Sequence, residues 1–206
     1  MLYVNQAQPQ AAGRHTQVGH AEYEQILNAV FSHEEPTARD LKYSITLRFM
    51  TSRHAESEIV INTLRSGMPQ ATLYTVPGPS VWDVANDYVQ KHGHVDVQAV
   101  AGLVRANKKT IQVSPDEISV WYSNMLKSVD ESGEQLRQDL DTFNKTGSVT
   151  VVLDGTTYEL QFQQNLTDIT WQVMDDEVND TRITGRSYVA KWMNEVRVYA
   201  VSHSTQ

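Results

Sequence analysis

The spacing of apolar residues changes several times along the chain, and each change marks an element. Over residues 21–32, Tyr23, Ile26, Leu27, Val30 and Phe31 recur three and four positions apart. That spacing puts them on one face of an amphipathic helix. His33-Glu34-Glu35-Pro36 breaks the run. In Tyr43-Ser44-Ile45-Thr46-Leu47-Arg48-Phe49 the apolar residues then take every second position. Period two is the signature of a strand with one buried and one wet face. A second helix is expected over 55–66, with Ile59, Val60 and Leu64 inward and Gly67 as its stop. Residues 71–76 read as a strand closed by Pro77-Gly78-Pro79.

The middle of the chain carries the clearest helix signals. Ser80 is an N-cap, with Asp83 near the positive helix end and Trp82, Val84, Ala85, Tyr88 and Val89 as the apolar stripe; Gly93 ends it. Asp96 caps a helix over 97–106. A short extended piece, 110–113, leads into Ser114-Pro115-Asp116-Glu117. There an N-cap Ser, a Pro at the first helical position and a Glu three residues on form a capping box. Ile118, Trp121, Tyr122, Met125 and Leu126 give that helix its buried stripe. A separate polar helix is expected over 133–143, with Leu136, Leu140 and Phe143 along one face.

The last 60 or so residues turn β-rich. Asp154-Gly155 is the preferred two-residue hairpin turn. Pairing outward from it sets Leu153 against Thr156, Val151 against Tyr158 and Val149 against Leu160. Glu159 and Gln161 fall on the opposite, polar face. Ile169, Trp171 and Val173 alternate as a third strand, and Val196, Val198 and Ala200 as a fourth. The acidic loop 175–180 and a short helix over 187–194 lie between them. These elements predict an α+β fold. Helices with one or two strands fill the N-terminal two-thirds, and a C-terminal antiparallel β-meander, turning at Asp154-Gly155, packs on helices. The expected organisation is an irregular segment 1–20, a helix-rich mixed portion 21–145, and an antiparallel β portion 146–206 that forms one compact unit with the preceding helices.

Composition narrows the chemistry. The 206 residues include no Cys, which excludes disulfides, a thiolate nucleophile and zinc–thiolate sites. The formal net charge of −8 argues against coating nucleic acid or anionic membrane through bulk charge. Its distribution is uneven. Residues 1–70 carry 6 basic and 7 acidic side chains, residues 71–127 carry 5 of each, and residues 128–206 carry 6 basic and 13 acidic. The acidity therefore belongs to the β-rich portion. The first basic residue is Arg14, and Asn5, Gln6, Gln8 and Gln10 interrupt any apolar leader. No window approaches the roughly 20 apolar residues of a spanning helix. The expectation is a cytoplasmic protein without membrane partners, with export by a route lacking a cleaved signal left open.

Four constellations could carry chemistry. The acidic loop supplies Asp175, Asp176, Glu177 and Asp180 as candidate binding residues, but it lacks the spacing and the glycine of a calcium loop. His54, Glu56 and Glu58 could serve acid–base catalysis; as first-turn carboxylates of the 55–66 helix, Glu56 and Glu58 have a simpler role against its dipole. Asp154, Glu159 and Gln161 resemble a Mg²⁺-ligand set in outline, yet a turn residue and two solvent-facing strand residues do not converge. Arg105-Ala106-Asn107-Lys108-Lys109 follows a helix–turn–helix-like stretch, and a basic helix end could meet phosphate or simply offset the dipole. His92 and His94 lack a third converging ligand. No cofactor or metal is implied. The leading expectation is a non-catalytic binding or regulatory factor, of the immunity, anti-host or effector kind. Its acidic C-terminal surface would attract a protein partner with a basic surface. The alternatives are an enzyme with a dispersed site, built from His54 and Glu56 or the 175–180 carboxylates, and a DNA-binding regulator using helix 96–106, although nucleic acid is the less expected partner.

Overall fold

A computed structural model describes residues 17–32, 40–51, 55–146, 156–164, 167–175 and 188–205. In chain order the elements are α1 (His20–Val30), β1 (Leu41–Thr51), β2 (Ser57–Leu64), β3 (Pro69–Thr75), α2 (Val81–His92), α3 (Val97–Leu103), β4 (Asn107–Ile111), α4 (Pro115–Thr146), β5 (Thr156–Gln164), β6 (Thr167–Asp175), α5 (Tyr188–Ser202) and β7 (Ser204–Thr205). The fold is mixed α and β. All seven strands join one sheet in the order β6-β5-β1-β2-β3-β4-β7. The pairings of β6 with β5, β5 with β1, β1 with β2 and β4 with β7 are antiparallel.

The described residues form two compact units that interleave in sequence. One holds α1, Ala55-Glu56 and the stretch through α2 and α3. The other holds the sheet with α4 and α5. In the first unit α1 packs against α3 and α2, burying Tyr23, Ile26 and Leu27 together with Val81, Ala85, Val89 and Val100. In the second, one sheet face supplies Tyr43, Ile45, Leu47 and Phe49 of β1, Ile59 and Ile61 of β2, and Tyr158, Leu160 and Phe162 of β5. The helices α4 and α5 cover it with Ile118, Met125, Val189, Trp192, Met193 and Val196. Tyr122 of α4 stacks on Tyr43 with ring centres 4.8 Å apart.

The capping signals are borne out. Ser80 Oγ accepts from the Asp83 amide at 3.0 Å, and Asp96 Oδ1 from the Ala99 amide at 3.0 Å. The Glu117 carboxylate accepts from the Ser114 amide at 2.7 Å, while Ser114 Oγ accepts from the Glu117 amide at 3.2 Å. Gly93 ends α2 at φ 77°, a left-handed conformation that glycine adopts without a Cβ penalty.

Several expectations are corrected. The helix over 55–66 is instead strand β2. Ile59 and Ile61 are buried on one face, Glu58 and Val60 on the other, so burial on both sides removes the alternation that marks a strand. The β-branched run Ile59-Val60-Ile61 suits the pleat. Residues 133–143 are not a separate helix: α4 runs unbroken for 32 residues through Gly133. The fourth strand, Val196 to Ala200, lies within α5. Val196 and Ala200 are buried and Val198 is 62 % exposed, which is helical four-residue spacing rather than period two. The helix over 97–106 stops at Leu103. The turn Asp154-Gly155 and strand 149–153 lie outside the described residues. Among the described residues β5 pairs with β1 along one edge over Thr156–Gln163 and with β6 along the other. Four strands, not one or two, come from the N-terminal two-thirds.

Ser132, buried in the middle of α4, accepts from the Val189 amide at 3.1 Å and so caps the start of α5. Tyr199 near the far end of α5 meets Glu117 near the start of α4, so the two helices run antiparallel. Ser132→Ala should lower unfolding free energy by about 0.5–2 kcal/mol, the usual cost of a lost cap, with an unchanged denaturant slope in urea melts. A loss below that range would show that water satisfies this amide equally well.

Candidate functional site

The most concentrated polar chemistry lies in a row across the sheet. Strand alternation places Arg48, Glu58 and Glu159 on the face opposite the apolar core, and the register sets them directly side by side. Gln172 of β6 stands opposite Glu159 and extends the row to the sheet edge. All three charged residues are buried: Arg48 and Glu159 are each 6 % exposed and Glu58 is 0 % exposed. Arg48 donates from Nε and Nη2 to Glu58 Oε2 at 2.9 and 2.7 Å, and its Nη1 lies 3.5 Å from Glu159 Oε1. Gln161 Nε2 donates to Glu159 Oε1 at 2.8 Å, and Gln172 Nε2 to Glu159 Oε2 at 3.3 Å. One guanidinium thus neutralises part of two carboxylates. Beside Glu58, burial pushes the Tyr74 phenol above its ordinary range, and the negative charge of Glu58 adds to the effect. Lys108 Nζ sits 6.0 Å from the Tyr74 ring centre.

This row corrects the expectation for Glu159 and Gln161. Glu159 does not face solvent. It is an internal partner of Arg48, and Gln161 is half-buried and bonded to it. The sequence offered one signal: Arg48, Glu159 and Gln161 all occupy the polar positions of alternating strands. Only the register shows that they share a row.

Glu56 is fully buried and ends up elsewhere. Its Oε2 accepts from the Val81 amide at 2.7 Å and its Oε1 from the Trp82 amide at 3.2 Å. The Tyr23 hydroxyl donates to Oε1 in a short hydrogen bond. With Ser80 bonded to the Asp83 amide, the first three free amides of α2 are all satisfied. Glu56 therefore does complement a helix dipole, but that of α2 and not of a helix containing itself. Both its oxygens are committed, which leaves it poorly placed to exchange protons with a substrate. His54 lies outside the described residues.

Of the acidic loop, Asp175 closes β6 opposite Thr156, and Asp176, Glu177 and Asp180 lie outside the described residues. Among the described residues no group of three or more His, Asp or Glu side chains could hold a metal. Lys108 and Lys109 lie in strand β4 and do not end a helix, so dipole compensation does not explain them. His92 packs on Tyr88 with ring centres 4.3 Å apart, and His94 Nδ1 lies 3.1 Å from the His92 carbonyl. Both histidines have local roles. A shallow groove of about 140 Å³ runs between α4 and α5, bordered by Lys127, Glu131, Lys191 and Glu195. No helix among the described residues is long and apolar enough to cross a membrane.

Tyr199 donates to Glu117 Oε1 at 2.6 Å and stacks on His203 with ring centres 3.9 Å apart. The Tyr199 hydroxyl, followed by the amide and hydroxyl of Ser114, holds the Glu117 carboxyl down to about 2. The same bond to Glu117, with burial, pushes the Tyr199 phenol up to about 12.

Set against models of protein families, curated proteins and solved structures, the chain matches none.

Two predictions follow from these geometries. Arg48→Met leaves two buried carboxylates without their cation and should cost about 3–5 kcal/mol in urea unfolding. Adding Glu58→Met should return part of that loss, so the pair is non-additive; additive losses would show that the ion pair is not coupled. The second concerns pH. The lowered Glu117 carboxyl contributes stability above its ordinary 4.5 that is lost as pH falls toward 2. The raised Tyr199 phenol contributes stability below its ordinary 10.0 that is lost as pH rises toward 12. Thermal melts of wild type and Tyr199→Phe should converge across both windows, and parallel curves would contradict the assignment.

Proposed function

We propose that this chain is a non-catalytic binding or regulatory protein whose acidic C-terminal portion engages a basic surface on a partner protein. The observation that carries this reading is a charge pattern. From residue 146 to residue 181 the chain has seven Asp and Glu residues and no Lys or Arg. Of these seven, Glu159 is drawn inward to Arg48, a cation from outside the stretch. Asp168 is exposed on β6. An uncompensated run of this kind raises the encounter rate with a cationic surface and selects against acidic partners. The fate of the buried carboxylates supports the same reading. Glu56, Glu58 and Glu159 are each tied to fixed partners within the fold, which fits a supporting role better than acid–base turnover.

The test is affinity capture from native lysate at low salt, comparing wild type with a variant carrying Asp175→Asn, Asp176→Asn, Glu177→Gln and Asp180→Asn. The expected result is a stoichiometric basic protein retained by wild type and released by the variant and by high salt. Absence of such a protein, or retention indifferent to both changes, would overturn the proposal.

A further inference from the structure

The two edges of the sheet are unlike. At one end β7 is two residues long, too short to template another strand. At the other end lies β6, nine residues in length, every one of them in register with β5 on its inner side. Among the described residues no strand pairs with its outer side. Edge strands are ordinarily guarded by lysine, proline, bulges or shortness, because their free N–H and C=O groups accept any extended chain. The sequence of β6, Thr-Asp-Ile-Thr-Trp-Gln-Val-Met-Asp, holds no Lys, Arg, Pro or Gly, and its register with β5 is continuous.

Its side chains also look incomplete at this edge. Ile169 stands opposite Phe162 on the core-facing side; Phe162 is 6 % exposed and Ile169 is 45 % exposed. Trp171 stands opposite the buried Leu160 and is only half-buried. On the other face Asp168, Thr170 and Gln172 are exposed. An added strand would supply neighbours to both rows at the 4.7–4.9 Å strand spacing.

We infer that β6 is a docking edge for an extended, basic segment of a partner protein, which joins the sheet as an eighth strand. This rests on the protein-binding reading above and names how the partner is held. Main-chain hydrogen bonds would give affinity, and alternate side chains would give specificity. The segment that fits alternates apolar residues, packing against Ile169 and Trp171, with Lys or Arg facing Asp168. Charge argues for a foreign basic strand over a second copy of this chain. A second copy would bring its own net −8, and its own stretch 146–181 without a cation, to the same edge.

The probe is a blocked nine-residue peptide alternating Lys and Val. It is compared with a Glu–Val counterpart and with the Lys–Val peptide methylated on its backbone nitrogens. Binding is followed by titration and by amide hydrogen exchange across residues 167–175. The Lys–Val peptide should bind, weaken with salt and slow exchange in β6. The Glu–Val peptide should not bind. Loss of the backbone donors should weaken binding on the order of tenfold or more. Ile169→Pro and Thr170→Pro are tested together, because adjacent strand residues direct their N–H groups to opposite sides. The variant that keeps the wild-type melting temperature should lose the peptide.

Unchanged β6 exchange, or equal binding of the methylated peptide, overturns strand addition. If binding of the methylated peptide still falls in the acid-neutralised variant, the acidic-surface reading stands without it. No salt-dependent binding of any Lys–Val peptide counts against both. A stable dimer with β6 already protected also overturns the proposal, since a second copy would then occupy the edge.

Discussion

Arg48 is a buried cation set between two buried carboxylates on neighbouring strands. Removing three charges from water costs several kcal/mol each, and only close pairing with further hydrogen bonds offsets it. Glu58 answers with one oxygen shared by two guanidinium N–H groups. Glu159 answers more distantly and is itself steadied by Gln161 and Gln172. The arrangement works only in one register. A slip of one residue on β1 would turn Arg48 toward the apolar face and leave both carboxylates unanswered. The row therefore acts as a register lock between the N-terminal hairpin, β1 with β2, and the C-terminal one, β5 with β6.

The same economy governs the helix ends. Backbone amides at a helix start must find acceptors, and here two starts find them far along the chain. Glu56 reaches the first two amides of α2, and Ser132 reaches the second residue of α5. The Ser132 contact joins the start of α5 to a residue fixed in α4, so forming one helix helps to position the other. Local caps at Ser80, Asp96 and Ser114 complete the set.

One carboxylate that the interior does not use, Asp168, is exposed on β6, whose outer side no described strand pairs. A strand edge offers geometry without sequence preference, and acidic flanks add a preference for sign. Under the proposed strand addition, neither alone would specify a partner, and together they would select one by shape and charge. The groove between α4 and α5, with two lysines and two glutamates around it, has no such bias.

The sequence by itself determined what depends on neighbours within about four residues. The capping box at Ser114 and Glu117, the cap at Ser80, the left-handed Gly93 and the stripe of α1 were all legible, because the interacting groups are close along the chain. The alternation in β1 was legible because only one of its faces is wholly apolar. Tertiary structure decided the rest. Buried on both faces, β2 shows no period and reads as a helix. In α5 the accidental alternation of Val196, Val198 and Ala200 hides a four-residue spacing. The partners of β5 along both of its edges, β1 and β6, were fixed by register and not by local sequence. The roles of Glu56, Glu58 and Glu159 were hidden for the same reason. Their residue type reads as solvated surface, and what draws them inward are partners that only strand register and helix placement bring within reach.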